Sequence, residues 1–162
     1  MTRFKAKGII HFMAIEVKGN RVYPHTVGII ESEPTRLNLL NLVVRRAGFR
    51  TITGANGKGA LNIMGRHFID LILLGDDSSE TKFPNLVTRI KKASPSLVMV
   101  LGSDNSEERA LQLYDAGADF FLHPREFTGQ ILVARMRSVL RRVDIATGNL
   151  RPYPRITNGD TN

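Results

Sequence analysis

The chain has 162 residues, 42% of them hydrophobic and 23% charged, enough for one domain with a real core. It has no cysteine, which excludes disulfides, thiolate metal sites and cysteine nucleophiles, and suits a reducing cytoplasm. The formal net charge of +8 favours anionic partners through long-range attraction, although a solvated basic surface is the simpler reading.

No apolar run is long enough to span a bilayer. A basic start followed by Gly8–Ile15 looks in part like a secretory signal. His11 interrupts that run, Glu16 ends it and no small-x-small cleavage site follows, so export is not expected. Residues 1–25 form an N-terminal extension with one candidate strand, "IIHFMAIEV", suited to edge pairing or to a helix.

From Thr26 onward, short apolar runs alternate with amphipathic stretches. "TVGII" (Thr26–Ile30) predicts a buried strand. "EPTRLNLLNLVVRRAG" predicts a helix with Pro34 in its first turn, Leu37, Leu40 and Val44 on one face, and Gly48 just past its end. "FRTIT" is the next strand, and Asn56 is a good N-cap for "NGKGALNIMG". "FIDLILL" is continuously apolar after Asp70, as in a strand buried on both faces. "FPNLVTRIKKA" predicts a helix with Leu86, Ile90 and Ala93 inward, and "SLVMVLG" predicts a fourth core strand. "SDNSEERALQLYDAG" carries a capping-box pattern from Asp104 to Glu107 and a stop at Gly117. "DFFLH" and "FTGQILVARMRSVLRRV" complete the series, and residues 144–162 read as a flexible tail. Five strands alternating with five helices imply right-handed βαβ units and a parallel sheet.

Taken together, "VGIIESEPTR", "NGKGAL", "DLILL", "DAGADFFLHP" and "LVARMRSVLRR" resemble, in order and spacing, a receiver domain of bacterial response regulators. The last helix is similar to that of winged-helix response regulators. The resemblance covers residues 26–143 and implies an α/β, flavodoxin-like (βα)5 three-layer sandwich with sheet order 2-1-3-4-5. It also implies phosphoryl transfer from a histidine kinase to an aspartate. That chemistry uses Mg²⁺ held by acidic residues after the first strand, a hydroxyl after the fourth and a lysine after the fifth.

Here those positions depart from the pattern. The acidic pair is Glu31 and Ser32, and the phosphoacceptor position is Gly75, which has no side chain to accept a phosphoryl group. The hydroxyl position falls on Gly102, with Ser103 beside it, and the lysine position falls on His123. By this alignment no Mg²⁺ site is complete, and neither a metal nor another cofactor is expected. Asp76 and Asp77 would serve only after a one-residue slip, which turns the strand's side chains to the other face. They read instead as solvated loop residues, and Ser103 as an N-cap of the fourth helix.

In winged-helix regulators the similar face of fourth helix, fifth strand and fifth helix forms a homodimer through salt bridges. The corresponding candidates are Glu107, Glu108, Arg109, Asp115, Asp119, Phe121, Arg135, Arg137 and Arg141. The sequence thus leads to an atypical, stand-alone, cytoplasmic receiver that is not an enzyme. It would act by protein contact, with a histidine kinase, another regulator or a second copy as partner. Two alternatives are a nucleic-acid-associated regulator using the basic ends (Arg3, Lys5, Lys7, Lys18 and Arg21; Arg135, Arg137, Arg141, Arg142, Arg151 and Arg155) and a receiver phosphorylated on Asp76 or Asp77. "GANGKG" carries Lys58 but lacks the spacing and the Ser/Thr of a nucleotide-binding loop, so a small enzyme on this fold has no support.

Overall fold

The computed structural model describes residues 15–17, 20–22, 25–77 and 82–148. Contacts divide the chain into two units. One is His25–Met136; the other comprises Met1–Pro24 and Arg137–Asn162. In the smaller unit, β1 (Ile15–Val17) pairs antiparallel with β2 (Asn20–Val22). The candidate N-terminal strand is therefore seen only at its end, in a local hairpin. Its first part lies outside the described residues, as do Arg3, Lys5, Lys7, Lys18, Arg151 and Arg155.

The larger unit is built on five parallel strands: β3 (Thr26–Ile30), β4 (Arg50–Gly54), β5 (Leu71–Gly75), β6 (Leu97–Leu101) and β7 (Phe120–Leu122). Their order is β4-β3-β5-β6-β7, the expected 2-1-3-4-5 of a flavodoxin-like sheet. The connecting helices are α1 (Pro34–Arg46), α2 (Gly57–Arg66), α3 (Phe83–Ala93) and α4 (Glu107–Asp115). The last helix, α5 (Gly129–Thr147), begins in this unit, and it runs through Asp144, where the flexible tail was expected to start.

The central strand explains the architecture. Leu71, Ile72 and Leu73 are fully buried and Leu74 nearly so, because β5 is covered on both faces. Each such side chain contributes roughly 1.5–3 kcal/mol relative to exposure. Phe83, Val87 and Ile90 of α3 join Ile72, Leu74, Val98, Val100 and Leu113 in one apolar cluster. The expected α3 face was therefore partly wrong. Val87 points inward, Leu86 is only partly buried and Ala93 is exposed.

Chain reversals follow residue chemistry. Gly48 and Gly117 adopt φ of 92° and 110° just past α1 and α4, a region that side chains with a Cβ disfavour. Asn56 caps α2 by accepting from Gly59 N–H at 2.9 Å. The capping box at Asp104 does not form. Ser106 caps α4, accepting from Arg109 N–H, while Asp104 accepts from Ser106 N–H two residues ahead of the helix. Ser103 is exposed and caps nothing.

Glu33 caps α1. Its carboxylate accepts from Thr35 N–H at 2.8 Å and Arg36 N–H at 2.7 Å. These backbone hydrogen bonds hold its carboxyl below the ordinary glutamate range. The stabilisation is complete above the ordinary glutamate pKa and is lost as pH falls through the lowered one. In an NMR titration, Glu33 is expected to protonate at lower pH than the chain's other exposed glutamates; a midpoint equal to theirs would contradict the cap.

Candidate functional site

The carboxyl ends of β3, β5, β6 and β7 bring together the positions singled out in the sequence. Glu31 directly follows β3 and is buried, with 5% of its surface exposed. Glu33 N–H donates to its Oε1 at 3.0 Å. Arg36 Nη2 lies 3.2 Å from its Oε2, an ion-pair contact without an aligned hydrogen bond. Ser32 is exposed.

This carboxylate occupies the space above Gly75. A Cβ built on Gly75 would overlap Glu31 Oε2 and lie 2.9 Å from its carboxyl carbon. The same has happened one strand over. A Cβ on Gly102 would lie 2.5 Å from Phe121 Cζ and 2.9 Å from its Cε1. Phe121 is 3% exposed, so its ring fills the place where a hydroxyl side chain was expected. His123 stacks edge-on against that ring, with centroids 4.9 Å apart, and among the described residues its buried Nδ1 has no hydrogen-bond partner.

Asp76 is not a solvated loop residue. Its side chain is fully buried. Arg109 reaches it from α4, with Nη2 donating to Oδ1 at 2.8 Å and Nε at 3.3 and 3.2 Å to Oδ1 and Oδ2. The same Nη2 donates to the Asp77 carbonyl at 3.4 Å. The guanidinium also lies over the Phe83 ring, 5.5 Å from its centroid. Hydrogen bonding to Asp76 raises the Arg109 pKa further above its ordinary value, against the opposing effect of burial. The pair ties the end of β5 to α4 across 33 positions of sequence.

The residues expected on the outer face separate accordingly. Glu107, Glu108 and Asp115 are exposed on α4. Arg135 is exposed and lies over the Phe120 ring at 5.1 Å. Arg109 and Phe121 are turned inward and do not belong to that face. Asp119 is held by Lys91 Nζ at 2.7 Å and accepts from Val98 N–H at 2.8 Å, so its carboxylate is committed within the fold. Arg137 and Arg141 belong to the smaller unit. Leu111 and Tyr114 were missed. They are 63% and 43% exposed on α4, and the Tyr114 hydroxyl accepts from Phe121 N–H on edge strand β7.

A Mg²⁺ ion, which the family chemistry needs, does not fit this donor set. Glu31 and Asp76 each already face an arginine, and a divalent cation would have to displace that charge. Among the described residues no three His, Asp or Glu side chains converge as metal ligands.

Two substitutions test this geometry. Gly75→Asp is expected to destabilise the chain by about 1–3 kcal/mol in urea denaturation, because it forces a side chain into filled space. Adding Glu31→Ala should recover part of that loss, and an unchanged urea midpoint for Gly75→Asp alone would contradict the filling. Arg109→Ala is expected to cost about 3–5 kcal/mol, since it strands a buried carboxylate. Asp76→Ala with Arg109→Ala should cost less than the sum of the single losses.

No family model matches the chain. It is 28% identical over 145 residues to a probable transcriptional regulator, ycf27, of Cyanidium caldarium, covering 89% of this chain and 57% of that protein. It is 27% identical over 117 residues to the response regulator GtcR of Aneurinibacillus migulanus, covering 72% and 48%. The chain thus spans about half the length of the curated relatives it matches. A crystal structure of a two-component response regulator from Clostridium difficile superposes with a TM-score of 0.69 at 20% identity, covering 74% of this chain and 98% of that one. In sequence the chain is thus similar to response regulators, and its fold is that of the receiver domains among the solved structures.

Proposed function

We propose that this receiver does not run an aspartyl-phosphate cycle and acts instead through phosphorylation-independent protein contact in a two-component signalling pathway. The observation that carries this reading is the Glu31 carboxylate seated in the space above Gly75. A receiver needs a carboxylate nucleophile there, and a glycine offers none. Phe121 filling the space above Gly102 supports the same conclusion for the hydroxyl that would bind the phosphoryl product.

Phosphorylation of Asp76 instead would require the Arg109 pair to open, since that side chain has no exposed surface. Asp77 lies two positions beyond Gly75, and its backbone carbonyl accepts from Arg109 Nη2. The degenerate pocket in this proposal consists of Glu31, Ser32, Gly75, Asp76, Gly102, Ser103 and His123. Its contact surface is α4, β7 and the start of α5, with Leu111 and Tyr114 as apolar centre and Glu107, Asp115 and Arg135 as charged rim. A histidine kinase, another regulator or a second copy of the chain is the partner, with no catalytic turnover by the receiver itself. A cytoplasmic setting is part of the proposal; no helix among the described residues is long and apolar enough to cross a membrane.

Incubation with acetyl phosphate and Mg²⁺, followed by intact mass measurement, is expected to leave the mass unchanged. An acid-labile gain of one phosphoryl group, mapped to Asp76 or Asp77, would overturn the proposal.

A further inference from the structure

The filled pocket has an open neighbour. Between α1 and the ends of β6 and β7 lies a cavity of about 320 Å³. Its walls are mainly hydrocarbon, from Leu39 and Leu40 of α1, Leu122 at the end of β7, and Phe127. Arg36 is the one charged residue among those that line it. The cavity sits beyond the carboxyl ends of the strands, where open α/β sheets bind ligands.

Size, walls and charge point the same way. The volume is at the lower end of the roughly 300–1,000 Å³ range of small-ligand sites. It would hold on the order of ten waters, to which hydrocarbon walls offer few hydrogen bonds. Leu39 and Phe127 are 53% and 38% exposed at its edge, so a ligand's apolar body would remove both from water. The Arg36 side chain is 44% exposed and touches Glu31 through Nη2; among the described residues its Nη1 and Nε have no partner. Either of those donors can give a charge-assisted hydrogen bond to a carboxylate.

We propose that this cavity binds a small amphipathic carboxylate, its apolar body against Leu39, Leu40, Leu122 and Phe127 and its head group on Arg36. The site goes beyond the receiver reading and stands whether or not the chain accepts a phosphoryl group. The charge complementarity selects an anion over a neutral lipid, and the bounded volume selects a small molecule over a protein segment.

The chain has no tryptophan, so Leu39→Trp places a single indole at the cavity edge. Leu42→Trp is the control. Leu42 is 46% exposed on the same helix and does not line the cavity. Titration with decanoate below its micellar concentration is expected to change the indole emission saturably, at one molecule per chain, in Leu39→Trp only. Arg36→Gln in that background should weaken decanoate binding by about tenfold and leave decanol binding unchanged. Decanoate should also raise the melting temperature of the unmodified chain, a readout independent of how well the tryptophan variants fold.

Four results would each overturn the site: no saturable emission change together with no rise in melting temperature, equal responses at positions 39 and 42, undiminished decanoate affinity in Arg36→Gln, or an emission change driven by protein concentration alone. The last would assign the cavity to a second copy of the chain.

Discussion

Two carboxylates at the carboxyl end of the sheet are each neutralised by an arginine, and the local structure is arranged around those two pairs. Glu31 follows the first strand of the parallel sheet and leans across to the neighbouring strand, where Gly75 leaves room for it. Asp76 is drawn under α4 by Arg109. A buried carboxylate without a partner would cost several kcal/mol, so Asp76 does not tolerate loss of Arg109, whereas Glu31 keeps its hydrogen bond from Glu33 N–H when Arg36 is replaced. Such pairs contribute little net stability over a well-packed apolar alternative. Their physical effect is to fix geometry: the β5 end is tied to α4, and the β3 end to the first turn of α1.

The same constraint bears on how the domain could signal. A switch needs an element with two packed arrangements of similar energy. The resemblance to receivers gives that role to the hydroxyl after the fourth strand and the lysine after the fifth. Here the aligned positions are Gly102 and His123, and the Phe121 ring is packed over Gly102 with its N–H held by Tyr114. The α4–β7 surface is then held by core packing. A fixed surface is suited to recognition by contact, which is the proposed function, and a ligand beside Arg36 would act on the adjoining side of the same strand ends.

Much of the fold was legible because buried parallel strands declare themselves as continuous apolar runs. "TVGII" coincides with β3, and the strand order is the one that the resemblance to receivers implies. Gly48 and Gly117 mark helix ends by their left-handed backbone. What failed was local choice among similar neighbours. Val87 and not Ala93 faces the core, and Ser106 and not Asp104 caps α4. Phe68 sits at the head of an apolar run yet is 92% exposed, since β5 starts only at Leu71. At the site, sequence spacing alone singled out Gly75 as the position where the resemblance calls for a nucleophile. The Asp76–Arg109 pair was not legible, because a contact between residues 33 apart leaves no periodic trace. Nor could sequence show that Glu31 and Phe121 would move into the space left by two glycines, since that is a consequence of packing.

The central claim is that the phosphorylation pocket is filled from within. A crystal structure of the unmodified chain, grown with Mg²⁺ and the phosphoryl mimic beryllofluoride, tests it most directly. The account predicts the Glu31 carboxylate over Gly75, the Phe121 ring over Gly102, the Arg109–Asp76 pair intact and neither ion at these positions. Beryllofluoride bound to the Asp76 carboxylate, with Arg109 displaced and Mg²⁺ held by Glu31, would contradict it.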